Sequence, residues 1–566
     1  MKLTALREYH LGSRLGQVRS VPVRLAGRPE NAVLFVYSSQ PNIDPWPELF
    51  DFPKDTLKMA LFSESGMLLW ERDLGTGVIP GVWFTPFISF DLDGAGTDEI
   101  WLLNNLNPHL PFSLNSRVLE RIDPRSGEAT GRWPWPDNTI NDTMSHSYRF
   151  YITAGYVHGE PVLVTAQDTY ANMYLQCHDA GMNKRWDIVI GDDGGARASH
   201  LCLVLDFNDD GVDELFWGEG LISLEYGHEL FCSDKGRYLG HSDIVLPFID
   251  PKSGKKYIYT CREDYEQEGE PRVITYDAQG SRVWTAVESV GHMHNGWLAN
   301  IGPEGRKVAM AMRINRQVIN NTICDTEPTD FYFDAVTGQP LPQPLPFKGS
   351  EYMPVDFNGD YCHEFYSVSG ENAGWVRDAQ GNYIAYLGGE QVRSGKLLNH
   401  PGEQMMLFYP QEGTVRIWGD PEAREVPAFT QRYPNYVDMP GSPLYPFGFG
   451  LSYTKFSYSD LQWDRVDADA VEVRAVVKNI GSRGGFETAQ CYIRDDGAGV
   501  TLPVRQLKGY QKCFLSPGEA QTVRFRLDRD LLSFYNRQGE RVFEPGSFTV
   551  WVGPNCLEGL RGSFNL

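Results

Sequence analysis

Long apolar runs are missing from this chain, and so are clusters of cations and paired cysteines. No window approaches the roughly 18 consecutive apolar residues needed to cross a bilayer. The opening MKLTALREYHLGSRLGQ holds no apolar run of signal-peptide length. The expectation is a soluble, cytoplasmic protein with no membrane partner, an exported form with a trimmed leader being the second choice. Lys and Arg number 51 against 74 Asp and Glu, a formal charge of −23, and no run of basic residues makes a local exception. Such a surface repels phosphate backbones, so nucleic acid is excluded as a partner. The nine cysteines are scattered without a Cys-x-x-Cys pair, which fits reduced thiols better than a disulfide frame or a zinc site.

Turn formers and aromatics are plentiful instead: 57 Gly, 36 Pro, 14 Trp and 28 Tyr in 566 residues, spread evenly along the chain. That is a β-rich composition. The length exceeds one ordinary core, so two domains are expected, one of them large.

Three segments share one signature: FDLDGAGTDEIWLL from Phe90, LDFNDDGVDELFWG from Leu205 and VDFNGDYCHEFYSV from Val355. Each reads as a strand, an acidic turn and a second strand, with two more strand-like runs behind it. A four-strand meander repeated at such a period is the pattern of a propeller blade. Taking the position six residues before the turn aspartate as a ruler, and aligning weaker copies by their second strands, first strands start near Val18, Thr85, His146, His200, His241, His294, Ser350 and Ser394. Eight starts imply an eight-bladed, alternatively seven-bladed, β-propeller over residues 1–425. Residues 426–443 read as a Pro-rich linker, and 444–566 as a β-sandwich.

The last segment contains YPFGFGLSYTKFSYSDL, VEVRAVVKNIGSRGGFETAQCYIRD, LPVRQLKGYQKCFLSPGEAQTVRFRLDRDLLSFYN and EPGSFTVWVGPN. It resembles the fibronectin-III-like module that ends family 3 β-glucosidases, though the catalytic barrel of those enzymes has no counterpart in this chain. Period-2 strands broken by Pro-Gly turns give the same sandwich. The blade signature, with GHELFCSDKGRYLGHSD and VGHMHNGWLANIGPEGRKVAMAM, resembles rhamnogalacturonan lyases of polysaccharide lyase family 11. That resemblance implies an eight-bladed, calcium-binding propeller acting on rhamnogalacturonan.

In a propeller the first strand of every blade lines the axial channel, so residues at the strand starts share one mouth. Of the twelve histidines, His146, His200, His241, His292 and His294 lie at or within two residues of those starts. His200, His294, His241 and His146, with Tyr148, are the candidate catalytic residues. Arg149, Arg197, His292, Lys396, Trp83 and Trp297 are the candidate substrate-binding residues. Imidazoles, a phenol and cations around one cavity suit β-elimination from a uronic acid, where a cation neutralises the carboxylate and a base removes the C5 proton. The expected function is therefore a lyase on an acidic, uronate-containing oligo- or polysaccharide. Two alternatives stand beside it: a glycoside hydrolase, whose paired carboxylates would be Asp243 and Glu351, and a non-catalytic glycan-binding propeller. Asp206, Asn208, Asp210 and Asp213 place oxygens at near-alternate positions around a Gly, a spacing that suits calcium in a structural role.

Overall fold

In the computed structural model the chain divides into two compact units, Met1–Pro440 and Gly441–Leu566. The structure describes every residue except 13, 29, 46–51, 114, 136–142, 171, 192–195, 201, 239, 251–252, 264–269, 287–291, 302–305, 320–321, 342–344, 425–446, 468, 496–504, 536–540 and 557, and except the side chains of 196–198, 316–319, 322–326 and 535. The expected linker 426–443 falls outside the described residues. Among the described residues no helix is long and apolar enough to cross a membrane.

The first unit is propeller-like and built from strands, with one short α-helix, Met144–Ser147, among its described residues. Among the described residues, eight antiparallel-based sheets follow one another along the sequence of this unit. Most are meanders of consecutive strands, such as Gln17–Val23, Ala32–Ser38, Lys58–Phe62 and Leu68–Asp73. The last sheet runs Glu390–Gly395, Gln404–Tyr409, Thr414–Gly419 and is completed by the N-terminal strand Thr4–His10, with Thr4 opposite Gly419.

Burial follows position in each sheet. The second strand Ala32–Ser38 is buried at every residue, because sheets cover both of its faces, whereas the outer strand Leu68–Asp73 is half exposed. Three outer-strand tryptophans each stitch one sheet to the next. Trp70 Nε1 donates to the Pro124 carbonyl at 2.7 Å, Trp186 to Leu224 at 2.8 Å and Trp284 to Ala335 at 2.9 Å. Each ring lies over a glycine with positive φ, Gly127, Gly227 or Gly338, where a Cβ would meet the indole at 2.8 Å or less.

The three acidic turns close alike. The leading aspartates Asp91, Asp206 and Asp356 each accept the amide five residues on, from Gly96, Gly211 and Tyr361. The second-strand glutamates Glu99, Glu214 and Glu364 accept from Leu92, Phe207 and Phe357 at 2.9, 2.8 and 3.1 Å. Burial pushes these glutamates up, to about 7, about 7 and about 8.

The second unit is a sandwich. Strands Phe456–Asp467, Ala470–Asn479 and Ala520–Asp528 form one sheet. Gln506–Leu515, Gly485–Asp495, Ser547–Gly553 and Leu560–Asn565 form the other. Alternate residues Val471, Val473, Ala475 and Val477 point into a core shared with Ala489, Cys491 and Ile493, the period-2 burial of facing sheets.

Candidate functional site

The site begins with an exception to the meander pattern. Strand Ala196–Ser199 leaves its own sheet and pairs in parallel with Gly240–Ile249, the first strand of the next. This brings His200 beside His241, ring centroids 5.4 Å apart. His241 and Asp243 stand side by side, Nε2 3.1 Å from Oδ1, and so do His292 and His294 at the head of Met293–Ile301. Ser242, between them on the opposite face, donates to Glu219 at 2.8 Å. Glu219 in turn holds the wholly enclosed Arg262 through Nε at 2.8 Å.

Asp243 is the centre. Its side chain is only 2% exposed; His241 Nε2 lies 3.1 Å from Oδ1, His200 Nδ1 3.8 Å from Oδ1, and His294 Nδ1 2.9 Å from Oδ2. His292 Nε2 is 3.0 Å from His294 Nδ1. Glu263, which follows strand Lys256–Arg262, reaches the same His241 Nε2 and lies 3.4 Å from His292 Nδ1.

Burial raises the cost of charge on the Asp243 carboxyl, but the imidazole hydrogen bonds win and hold it far below the carboxylate range. Glu263 is lowered for the same reasons. Burial opposes charge on His241 too, yet its bonds to Asp243 and Glu263 lift it to about 9. His200 drops to about 4, because burial outweighs Asp243. His294 is raised chiefly by its bond to Asp243.

Aromatic rings line the rest. Trp83 lies 5.2 Å from the His200 ring, and Tyr170 lies 4.8 Å from His241 and stacks on His146 at 5.3 Å. The Arg149 guanidinium sits 4.6 Å from the Trp83 ring and 5.3 Å from Tyr170, and pairs with Asp44 at 3.3 Å.

Thus His146, His200, His241, His292, His294, Trp83 and Arg149 are brought to one place. Other candidates are not. Tyr148 packs against Phe84 and Phe112, with the Arg117 guanidinium 4.6 Å from its ring. Trp297 is buried and donates to the Gly349 carbonyl at 2.9 Å, an intersheet stitch and not an open platform. Lys396 donates to the His400 carbonyl at 3.3 Å and feels Glu403 and Asp356, beside an acidic turn. Arg197 lies on the parallel strand, but its side chain is outside the described residues. Glu351, the expected partner of Asp243, belongs to a 3-10 turn and faces Lys348 at 3.9 Å; the carboxylate beside Asp243 is Glu263. Glu263, Tyr170 and Asp44 were not legible as site residues. The signal was available for the first two, because the end of a second strand lies beside the start of the first in an antiparallel pair.

Calcium suits neither place well. At the Asp206 turn both Asp206 oxygens, Asn208 Oδ1 and Asp210 Oδ1 accept backbone amides of the turn itself, and an Asp213 oxygen accepts from Tyr156 at 2.7 Å. The histidine cluster offers nitrogen donors, which a hard cation does not favour. No chemical step is assigned to calcium.

Comparison with known proteins gives the class first. The fibronectin type III-like domain model matches residues 487–556. The propeller-like unit shares its fold with rhamnogalacturonan lyases of polysaccharide lyase family 11. The crystal structure of the exotype rhamnogalacturonan lyase YesX superposes with a TM-score of 0.58 and 17% identity, covering 73% of this chain and 76% of that one. At this identity the likeness is one of fold alone.

By sequence, the periplasmic β-glucosidase of Salmonella typhimurium is 40% identical over 193 residues, 33% of this chain and 24% of that protein. A putative β-xylosidase of Formosa agariphila is 37% identical over 134 residues, 23% of this chain and 18% of that one. The chain thus spans about a quarter or less of these curated relatives. Such proteins are glycosidases by name, and they overturn the expected β-elimination: the lyase reading is corrected, and the hydrolase alternative is the one these matches favour.

Proposed function

We propose that the propeller-like unit hydrolyses a glycosidic bond of a neutral glycan at the histidine-lined mouth, its eight sheets serving as the eight blades of the ring. One observation carries the reading: Asp243 and Glu263 both reach His241 Nε2. Through that shared imidazole an enclosed carboxylate, Asp243, orients the histidines, and a more exposed one, Glu263, stands beside them to take a proton. Asp243 is too enclosed to touch sugar and serves to hold the imidazoles. Glu263, with 22% of its side chain exposed, faces the solvent and acts as the base toward water. His294, 48% exposed, spends Nδ1 on Asp243 and leaves Nε2 for the leaving oxygen. Water's hydroxyl goes to the anomeric carbon and its proton to Glu263, while the proton on His294 Nε2 goes to the departing oxygen; the proton on Glu263 then restores His294 by way of solvent.

Trp83 and Tyr170 supply faces on which a sugar ring stacks. Among the described residues Arg149 is already paired with Asp44 and His241 with Asp243 and Glu263, so a uronate would bring a further carboxylate to a site whose acids already balance these cations. That favours a neutral substrate, in keeping with the β-glucosidase and β-xylosidase names of the sequence relatives.

The test is a panel of nitrophenyl β-glycosides and neutral oligosaccharides. Release of reducing ends without the ultraviolet absorbance of a conjugated alkene is expected, and Glu263→Gln should lower turnover by about 10²–10⁴-fold with the thermal midpoint unchanged. Alkene absorbance in the products, or full turnover by Glu263→Gln, would overturn the proposal.

A further inference from the structure

We propose that Asp243, His292 and His294 form a binding site for one divalent transition-metal ion, a two-histidine, one-carboxylate triad opening toward the mouth. Asp243 Oδ2, His294 Nδ1 and His292 Nε2 make a triangle with sides of 2.9, 3.0 and 4.0 Å. Ligands at about 2.0–2.1 Å from a tetrahedral ion stand roughly 3.4 Å apart. The three edges straddle that value, so small side-chain rotations close them onto a shared ion.

The state of Asp243 is the independent sign. Its side chain is almost wholly enclosed. Oδ1 is engaged by His241 at 3.1 Å, and the buried Oδ2 is faced by two imidazole nitrogens, His294 Nδ1 at 2.9 Å and His292 Nε2 at 4.0 Å. A buried carboxylate oxygen set against two such nitrogens calls for a proton or a cation between them. That is the arrangement of donors converging on a cation. The surrounding contacts are those that orient ligands: His241 fixes the carboxylate and is itself held by Glu263, while the Ile314 amide fixes the His292 carbonyl at 3.0 Å.

Donor chemistry selects the ion. Two imidazoles and a carboxylate suit zinc, manganese, iron, cobalt or nickel, and leave positions open for water and substrate. The half-exposed His294 gives solvent and metal a way in. The ion's role rests on the hydrolytic reading: it would polarise the water from which Glu263 takes a proton. Its binding does not depend on that reading.

The experiment uses the full chain stripped with chelator and titrated with cobalt(II), followed by calorimetry and visible absorption, with metal content also measured as purified. About one cobalt per chain is expected, displaced by zinc and untouched by excess calcium. Asp243→Asn and His294→Gln should weaken binding by more than about 100-fold, and His241→Gln, a positioning change, by about 10–100-fold. His294 is partly exposed, so His294→Gln keeps its fold, checked by an unchanged thermal midpoint. Failure of the stripped wild type to take up stoichiometric cobalt, or wild-type binding by folded His294→Gln, overturns the site. Cobalt binding without turnover on any glycoside would sink the hydrolase reading alone; chelator-insensitive hydrolysis by a chain that binds no cobalt would sink the metal site alone.

Discussion

Replacing Glu219 by Gln should destabilise the first unit more than any single surface change. Arg262 and Glu219 are both 0% exposed and joined through Nε and Nη2 at 2.8 and 2.5 Å. Arg262 also meets Asp234 at 2.8 Å, but Asp234 is shared with Arg282. Neutralising Glu219 takes from the enclosed Arg262 its two-point carboxylate partner and leaves it a share of Asp234, and breaking a buried pair from one side costs about 3–5 kcal/mol. The unfolding entropy of about 2.1 cal/mol/K per residue gives the 440 residues of the unit roughly 0.9 kcal/mol/K. A loss of about 3 kcal/mol then lowers the midpoint by about 3 °C. Adding Arg262→Met removes the stranded charge and leaves Asp234 with Arg282, so the double variant should recover most of the loss. Differential scanning calorimetry of wild type, both single variants and the double closes the cycle. A shift below about 1 °C for Glu219→Gln, or a double variant less stable than the single, would refute the reasoning.

Trp83→Ala should raise KM by about 2- to 10-fold with a smaller change in kcat, because the ring offers a stacking face and touches His200 without bearing on the reacting atoms; steady-state kinetics on whichever glycoside is turned over decides it. Glu364→Gln should remove a pH dependence. A carboxyl raised by burial to about 8 stabilises the fold below its unfolded value and loses that contribution as pH rises through about 8. The wild-type midpoint should thus fall relative to the variant between neutral and mildly alkaline pH, and parallel midpoints across that range would contradict it.

Much of the fold was legible because its rules are local. The acidic turns at Asp91, Asp206 and Asp356 announce a strand pair wherever they occur, since the aspartate and the glutamate behind it close the turn with their own carboxylates. The sandwich strands show their alternation in the sequence, as Val471, Val473, Ala475 and Val477 do. The histidines could be gathered from strand starts alone, because a repeated sheet carries equivalent positions to one mouth. What escaped depends on pairing across distance. The parallel docking of Ala196–Ser199 onto Gly240–Ile249 has no periodic mark, and Glu263 acquires its place only when the second strand folds back on the first. Tyr148, one residue from Arg149, turned out to face the apolar cluster of Phe84 and Phe112, a matter of which way a loop turns after a four-residue helix.

The strand Thr4–His10 is made long before the strand it pairs with. Its partner, Thr414–Gly419, emerges from the ribosome only after some four hundred further residues, so a growing chain carries an unpaired strand while the sheets between are being made. Whatever sheets have already formed, the final one waits for both ends of the unit to be present. A translation stall or proteolytic nick anywhere between leaves that edge unsealed, and an unsealed edge is where strands of other chains add. For this protein, then, the order of manufacture is itself a hazard, and the moment of safety arrives with the closing strand.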